Sequence, residues 1–129
     1  MDPVELRIDP FPSDAELAQL WAAAWEQEAG ASYQNVLQRS LCHVGAYARD
    51  RLVGFVNVAW DGGIHAFLLD TCVHPEMQRQ GIATRLVRMA VEEARGRGVR
   101  WLHVDYEAHL EHFYAGCGFL PTKAGLIRL

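Results

Sequence analysis

Residues 73–84 of this 129-residue chain read Val73-His74-Pro75-Glu76-Met77-Gln78-Arg79-Gln80-Gly81-Ile82-Ala83-Thr84. The run leaves an apolar stretch, breaks at His74-Pro75 and enters a helical pattern, so it joins a strand to a helix N-terminus. Unpaired backbone N–H groups and the positive end of the helix dipole make that place favourable for an anion. Gly81 lets the backbone approach a ligand closely, and the small Ala83 keeps that approach open. Gln78, Arg79 and Gln80 add side-chain donors, and Arg85 and Arg88 lie on the same helix. A phosphate-bearing ligand is the chemistry this pattern suits. There is no G-x-x-x-x-G-K-[ST] and no three-glycine dinucleotide fingerprint, which sets aside a P-loop and a Rossmann turn. The bland alternative is a Gln-Arg-Gln-Gly run that merely caps a surface helix.

Groups able to take a proton are Asp70, Glu76, His103, Asp105 and Glu107. His103, Asp105 and Glu107 share one strand face by period two if the strand runs that far. Val99 and Trp101 have the same parity, so that face also reads as a buried one ending in solvated acids. His109 and His112 stand at i, i+3 with His103 before them and Cys117 beyond. No recognisable ligand spacing completes the set, so no metal site is expected; a hydrolase using His103, His109 and His112 is the reading that a metal would support. Cys42, Cys72 and Cys117 are odd in number and far apart, with no C-x-x-C, which excludes a disulfide scaffold and a zinc ribbon. Cys117 has no basic neighbours to mark a nucleophile. Trp21, Trp25, Trp60 and Trp101 are expected to fill the core or line a pocket.

Half of the residues are hydrophobic (50%), 22% are charged, and the formal net charge is −4. This composition excludes a disordered chain and suits one domain over residues 1–129. The acidity argues against a nucleic-acid partner. No run approaches the ~18 apolar residues of a membrane span, and the Met1-Asp2-Pro3 start lacks a basic, apolar signal segment. A soluble, cytoplasmic protein is expected. Charge is uneven: Asp2, Glu5, Asp9, Asp14, Glu16, Glu26 and Glu28 face only Arg7 before residue 39, whereas residues 76–100 hold six arginines against three glutamates. The split suggests a basic region facing an anion and an acidic region facing something cationic.

The elements that must position these residues can be read from periodicity. Val4–Ile8 alternates as a half-buried edge strand does. Ser13 followed by Glu16 is a capping-box pattern, and Leu17, Leu20, Trp21, Ala24 and Trp25 recur at helical spacing up to Gly30. Residues 32–40 suit a short helix or loop. Cys42–Ala48 and residues 52–60 form a hairpin around Arg49-Asp50, and Asp61-Gly62-Gly63 makes a firmer turn. Residues 64–73 are apolar enough to predict an interior strand covered on both sides. Residues 81–97 predict a helix with Ile82, Leu86, Met89, Ala90 and Ala94 on one face, and residues 99–104 another strand. Strand, helix, strand is a right-handed βαβ unit. A short helix is expected over 109–115, and a final strand within 119–129. The whole predicts an α/β domain, a central mixed β-sheet with helices on both faces.

The sequence at this point resembles the GNAT superfamily of acyl-CoA-dependent N-acetyltransferases. The signature [Q/R]-x-x-G-x-[G/A] is present as Gln78-x-x-Gly81-x-Ala83, preceded by the V-x-P of Val73-His74-Pro75. A second family element, F-Y-x-x-x-G-F, follows as Phe113-Tyr114-Ala115-Gly116-Cys117-Gly118-Phe119. The two stand in the family's order and spacing, and the resemblance covers most of the chain.

The resemblance implies a GNAT fold whose βαβ unit binds acetyl-CoA as acyl donor. The pyrophosphate would rest on the N–H groups of Arg79, Gln80, Gly81, Ile82, Ala83 and Thr84, with Gln78 beside them. Backbone groups of Cys72 and Val73 would bond the pantetheine arm, and the Val73 N–H would polarise the thioester carbonyl. Tyr114 takes the place of the general acid that protonates the departing thiolate. Where many members carry Asn before that tyrosine, this chain has Glu107, an acceptor-only carboxylate that could instead contact an amine. The implied reaction is direct attack by a primary amine of a small molecule or peptide, with Glu107, Asp105 or a water as base. The acidic helix region with Trp21, Trp25, Glu26 and Glu28 would border the acceptor, and family members often dimerise through sheet edges or the C-terminal strand. The runner-up is a non-catalytic acyl-CoA-binding or protein-interaction module on the same fold.

Overall fold

Ser13 starts the first helix, α1 (Asp14–Trp25), by reciprocal capping: the Glu16 N–H donates to the Ser13 hydroxyl at 3.1 Å and the Ser13 N–H to the Glu16 carboxylate at 3.0 Å. The computed structural model describes residues 3–28 and 30–129, so Asp2, one of the N-terminal acids, and the start read for a signal segment lie outside the described residues. α1 ends at Trp25 rather than running to Gly30, because Glu26 turns left-handed (φ 53°) and its N–H caps the Trp21 carbonyl.

The remaining elements are β1 (Val4–Ile8), α2 (Gln34–Arg39), β2 (Cys42–Ala48), β3 (Arg51–Trp60), β4 (His65–Val73), α3 (Ile82–Gly96), β5 (Trp101–His103) and α4 (Glu111–Gly116), with 3₁₀ turns at Pro75–Met77 and Ala108–Leu110. They form one five-stranded mixed sheet in the order β1-β2-β3-β4-β5, antiparallel except for the parallel β4–β5 pair. Arg49 and Asp50 join β2 to β3 with positive φ at both positions (49° and 63°), the pattern of a type I′ hairpin turn.

Two cores flank the sheet. α3 lays Leu86, Val87, Ala90 and Ala94 on Val44, Ala46, Val56, Val58, Ala66 and Leu68. On the other face Leu17, Leu20 and Leu37 pack against Tyr47, Leu52, Phe55 and Cys72. The α/β class and the helices on both faces are as the periodicity implied, but β4 is not covered throughout. Ala66 and Leu68 are buried under α3, while Phe67 (41% exposed) and Leu69 (37%) face outward, because α1 and α2 cover the sheet only around Phe55 and Cys72. Trp25, Trp60 and Trp101 are likewise exposed rather than core residues.

The C-terminal expectation is corrected. Residues 119–129 form no strand and expose Leu120, Leu126, Ile127 and Leu129. Among the described residues β5 is bonded on one side only, to β4. A strand needs a ladder partner, and within this single copy the segment has none.

Candidate active site

β4 and β5 pair only from His65 to Phe67 against Trp101 to His103, after which β4 continues to Val73 with β3 on one side and no strand on the other. The two parallel strands therefore part at the C-terminal end of β4, leaving backbone there without a neighbour on that side. β5 stops at His103, so Asp105 and Glu107 do not share a strand face with it. Glu107 instead heads the second 3₁₀ turn, highly exposed, with its carboxylate 3.6 Å from His109 Nδ1.

Beyond Val73 the His74 ring accepts the Glu76 N–H at 3.1 Å, and Pro75 fixes the first 3₁₀ turn. Arg79 and Gly81 then adopt left-handed backbone, φ 64° and 77°, which swings the chain into α3. Gly81 is the N-cap of α3 and has no side chain to cap it, so the N–H groups of Ile82, Ala83 and Thr84 have no helical partner; the ladder begins with Arg85 N–H on the Gly81 carbonyl at 3.1 Å. A Cβ built on Gly81 meets nothing within 4 Å, so glycine is needed here for its positive φ and the ground above it is open. The donor set, Arg79 included, fits a pyrophosphate. Gln78 Nε2 donates to the Val73 carbonyl at 3.3 Å, tying the turn to the strand end. Arg85 donates to the Val4 carbonyl, and Arg95 and Arg97 pair with Glu92, Glu93 and Asp9, so half of the arginine run is structural.

Tyr114 is buried (7% exposed) on α4, stacked on Tyr106 at 4.9 Å and set edge-on to Phe113 and Phe119. Burial raises its phenol above the ordinary range, the Thr71 hydroxyl pulling the other way, with Asp105 adding a smaller upward push. The phenol thus remains a proton donor at neutral pH, beside the end of β4. Cys72 is buried and its thiol is pushed up to about 12 by desolvation, which makes it inert packing.

On the opposite face the register of β3 and β4 slips by one residue between Phe55↔Cys72 and Asn57↔Leu69. Asp70 sits in this bulge with φ 58°. The Tyr33 hydroxyl donates to Asp70 Oδ2 at 2.6 Å. Tyr33 and Trp21 also line a cavity of about 260 Å³ with Asp14, Leu17, Ala18 and Glu28. Tyr33 carried no motif in the sequence, and the only hint to it was its place in the loop ahead of α2. His103 is distant from His109 and His112 in role: it lies 3.0 Å from His65 Nδ1 and stacks on Phe67, and no group of three metal-ligating side chains exists among the described residues.

Residues 4–119 match the sequence profile of the acetyltransferase (GNAT) family. The chain belongs to the GNAT acetyltransferase family. Residues 120–129 fall outside the matched span. The chain is 25% identical over 79 residues to an uncharacterized N-acetyltransferase, ycf52, of Pyropia yezoensis, covering 61% of this chain and 45% of that protein. It is 37% identical over 51 residues to the mycothiol acetyltransferase of Mycobacterium ulcerans, covering 40% of this chain and 16% of that one. The GNAT chain therefore spans less than half the length of these relatives. In fold it is similar to a probable acetyltransferase from meticillin-resistant Staphylococcus aureus (TM-score 0.82, 20% identity, 98% of both chains). It is also similar to an aminoglycoside N-acetyltransferase solved with CoA (TM-score 0.76, 15% identity, 100% of this chain and 95% of that one). These likenesses agree with the mixed five-stranded sheet and its flanking helices.

Proposed function

We propose that this GNAT domain transfers an acetyl group from acetyl-CoA to a primary amine by direct attack within a ternary complex. The observation that carries the reading is the coincidence, at the end of β4, of an open anion cradle and a buried, protonated Tyr114. The pyrophosphate of the donor rests on the N–H groups of residues 79–84, with Arg79 neutralising charge. The pantetheine arm lies against the unpaired side of β4 at Cys72 and Val73, where a strand neighbour is missing. The Val73 N–H polarises the thioester carbonyl, the kind of donor worth roughly 3 kcal/mol to a tetrahedral intermediate. Tyr114 gives its proton to the departing thiolate; a phenol is ordinarily a somewhat weaker acid than a thiol, and its burial makes the transfer more uphill still, so the proton moves as the C–S bond breaks. Asp105, near Tyr114, and the exposed Glu107 stand as proton acceptors on that side.

The acceptor is an amine-bearing small molecule or peptide that enters beside Trp21, Tyr33 and Glu28. Free thiols at Cys42, Cys72 and Cys117 suit a reducing, cytoplasmic setting, and no described helix is long and apolar enough to cross a membrane. The molecule works as a homodimer in which residues 119–129 of one copy pair with the open β5 edge of the other, burying Leu126 and Ile127.

Thermal unfolding with and without acetyl-CoA tests the donor site. At 100 times Kd the ligand adds about 2.7 kcal/mol, a rise of several degrees for a domain of this size. Gly81→Glu, read against its own ligand-free melting point, loses the rise. Absence of any rise in the unaltered protein overturns the donor reading; a rise without thiol release on any amine reduces the chain to a binding module.

A further inference from the structure

We propose that Asp70, held by Tyr33 at the β4 bulge, receives the acceptor's ammonium group and takes its proton, so that the acceptor is a primary alkylamine, charged in water, rather than an arylamine. The inference rests on the acetyl-transfer reading above and names the acceptor side of that site.

A non-glycine residue at φ 58° within a strand is uncommon and clusters at functional positions. Here the bulge has a visible consequence. It sends the side chains of two consecutive residues to two different tyrosines: Asp70 to the Tyr33 hydroxyl on the α1 face, Thr71 to Tyr114 on the α4 side. A carboxylate and a phenol thus flank the end of β4 from opposite sides. Tyr33 is itself fixed, edge-on to Trp21 (4.9 Å) and Phe55 (6.0 Å), with its N–H on Asp14 Oδ1 at 3.0 Å. Burial keeps its hydroxyl protonated, so it only donates to Asp70, and it occupies one of the two carboxylate oxygens. Asp70 is exposed, and Oδ1 is the oxygen that Tyr33 does not occupy. Behind the pair, Asn57 is fully buried with both side-chain polar atoms unpaired, facing the Tyr33 hydroxyl beyond hydrogen-bond length, and the Trp21 Nε1 is buried and unpaired near the Cys72 thiol. Buried polar groups without a protein partner are rare, and a polar ligand or a water is what satisfies them. The ionisable groups beside Asp70 are Tyr33 and Cys72; α1 brings Asp14 behind Tyr33, Glu28 lines the same cavity, and Trp21 of α1 and Asn57 of β3 are the neutral polar groups there.

The protons balance. The bound ammonium gives one proton to Asp70 Oδ1, which passes it to solvent. The freed lone pair forms the C–N bond as the C–S bond breaks. Tyr114 protonates the thiolate and regains a proton from the acylated nitrogen. An alkylamine near pKa 10 needs this first step at neutral pH, whereas an arylamine, already neutral, does not.

Thiol release is measured with acetyl-CoA and putrescine, phenethylamine, lysine methyl ester or 4-aminobenzoate, from pH 7 to 9, alongside acetyl-CoA melting shifts. Asn tolerates the left-handed backbone, so Asp70→Asn keeps the bulge. Expected is turnover of at least one alkylamine and none of 4-aminobenzoate. Asp70→Asn lowers kcat/KM about 100-fold at pH 7, the gap closing by about tenfold per pH unit as free amine accumulates, with the acetyl-CoA shift unchanged. Tyr33→Phe, a positioning change, costs about tenfold and keeps the wild-type pH slope. Alkylamine turnover in Asp70→Asn with the wild-type rate and slope, or turnover of the arylamine, overturns the proposal alone. Neither a melting shift nor thiol release in the unaltered protein overturns acetyl transfer and this inference together.

Discussion

Replacing Tyr114 by Phe isolates the acid step, because it removes one hydroxyl and leaves the aromatic packing. The ring is 7% exposed and held between Tyr106, Phe113 and Phe119, so the variant keeps its shape and its α4 position. The hydroxyl lies near the Thr71 side chain, and its removal costs at most about 1 kcal/mol. That lowers the melting temperature by no more than about 4 °C in a chain of this length. Chemistry should suffer far more: a positioned general acid contributes about 10²- to 10⁴-fold, so kcat falls by at least about 100-fold. The cradle at Gly81 is untouched, so acetyl-CoA affinity stays within about twofold. Because burial raises the phenol above its ordinary range, wild-type kcat declines only when pH climbs past that range; the variant lacks this alkaline limb. Stopped thiol release at saturating donor and amine, with melting curves on the same samples, reads all three quantities. Unchanged kcat, or a rate loss wholly explained by weaker acetyl-CoA binding, would refute the assignment.

Two further outcomes follow from other parts of the fold. His43 is buried and its imidazole pKa is lowered by desolvation, so the unfolded chain binds the extra proton more readily. The stability it protects is present above about pH 6.5 and is lost as pH falls below that value; urea midpoints between pH 8 and 5 should drop more in the wild type than in His43→Gln. For the dimer, sedimentation should give two copies for the wild type and one for Leu126→Asp/Ile127→Asp, and a monomeric wild type refutes the pairing of residues 119–129 with a second β5 edge.

Most element positions were legible because they depend on local chemistry. β1 falls at the boundaries that alternation gives and β2 at those of the hairpin arm before Arg49-Asp50, α1 begins where Ser13 and Glu16 cap it, and the turn into α3 lies where Pro75 and Gly81 put it. The uncapped start of α3 was visible for the same reason: a glycine-bearing helix start after a strand is a sequence-local device. The bond from Gln78 to the Val73 carbonyl was not legible in the sequence, because the two come close only once the turn has folded back. The coverage of residues 64–73 was overread, since an apolar run does not reveal where an opposing helix stops.

What the sequence determined by itself is therefore the α/β pattern, the glycine-bearing start of α3 and the short helix that carries Tyr114. The tertiary structure alone decided where β4 and β5 part, which residues stay exposed at 119–129, and that Asp70 meets Tyr33 across 37 positions of chain. The physical reason is register. Ladder hydrogen bonds between distant strands fix it, and a slip of one residue at Asp70 and Thr71 redirects both side chains, an event no local periodicity encodes.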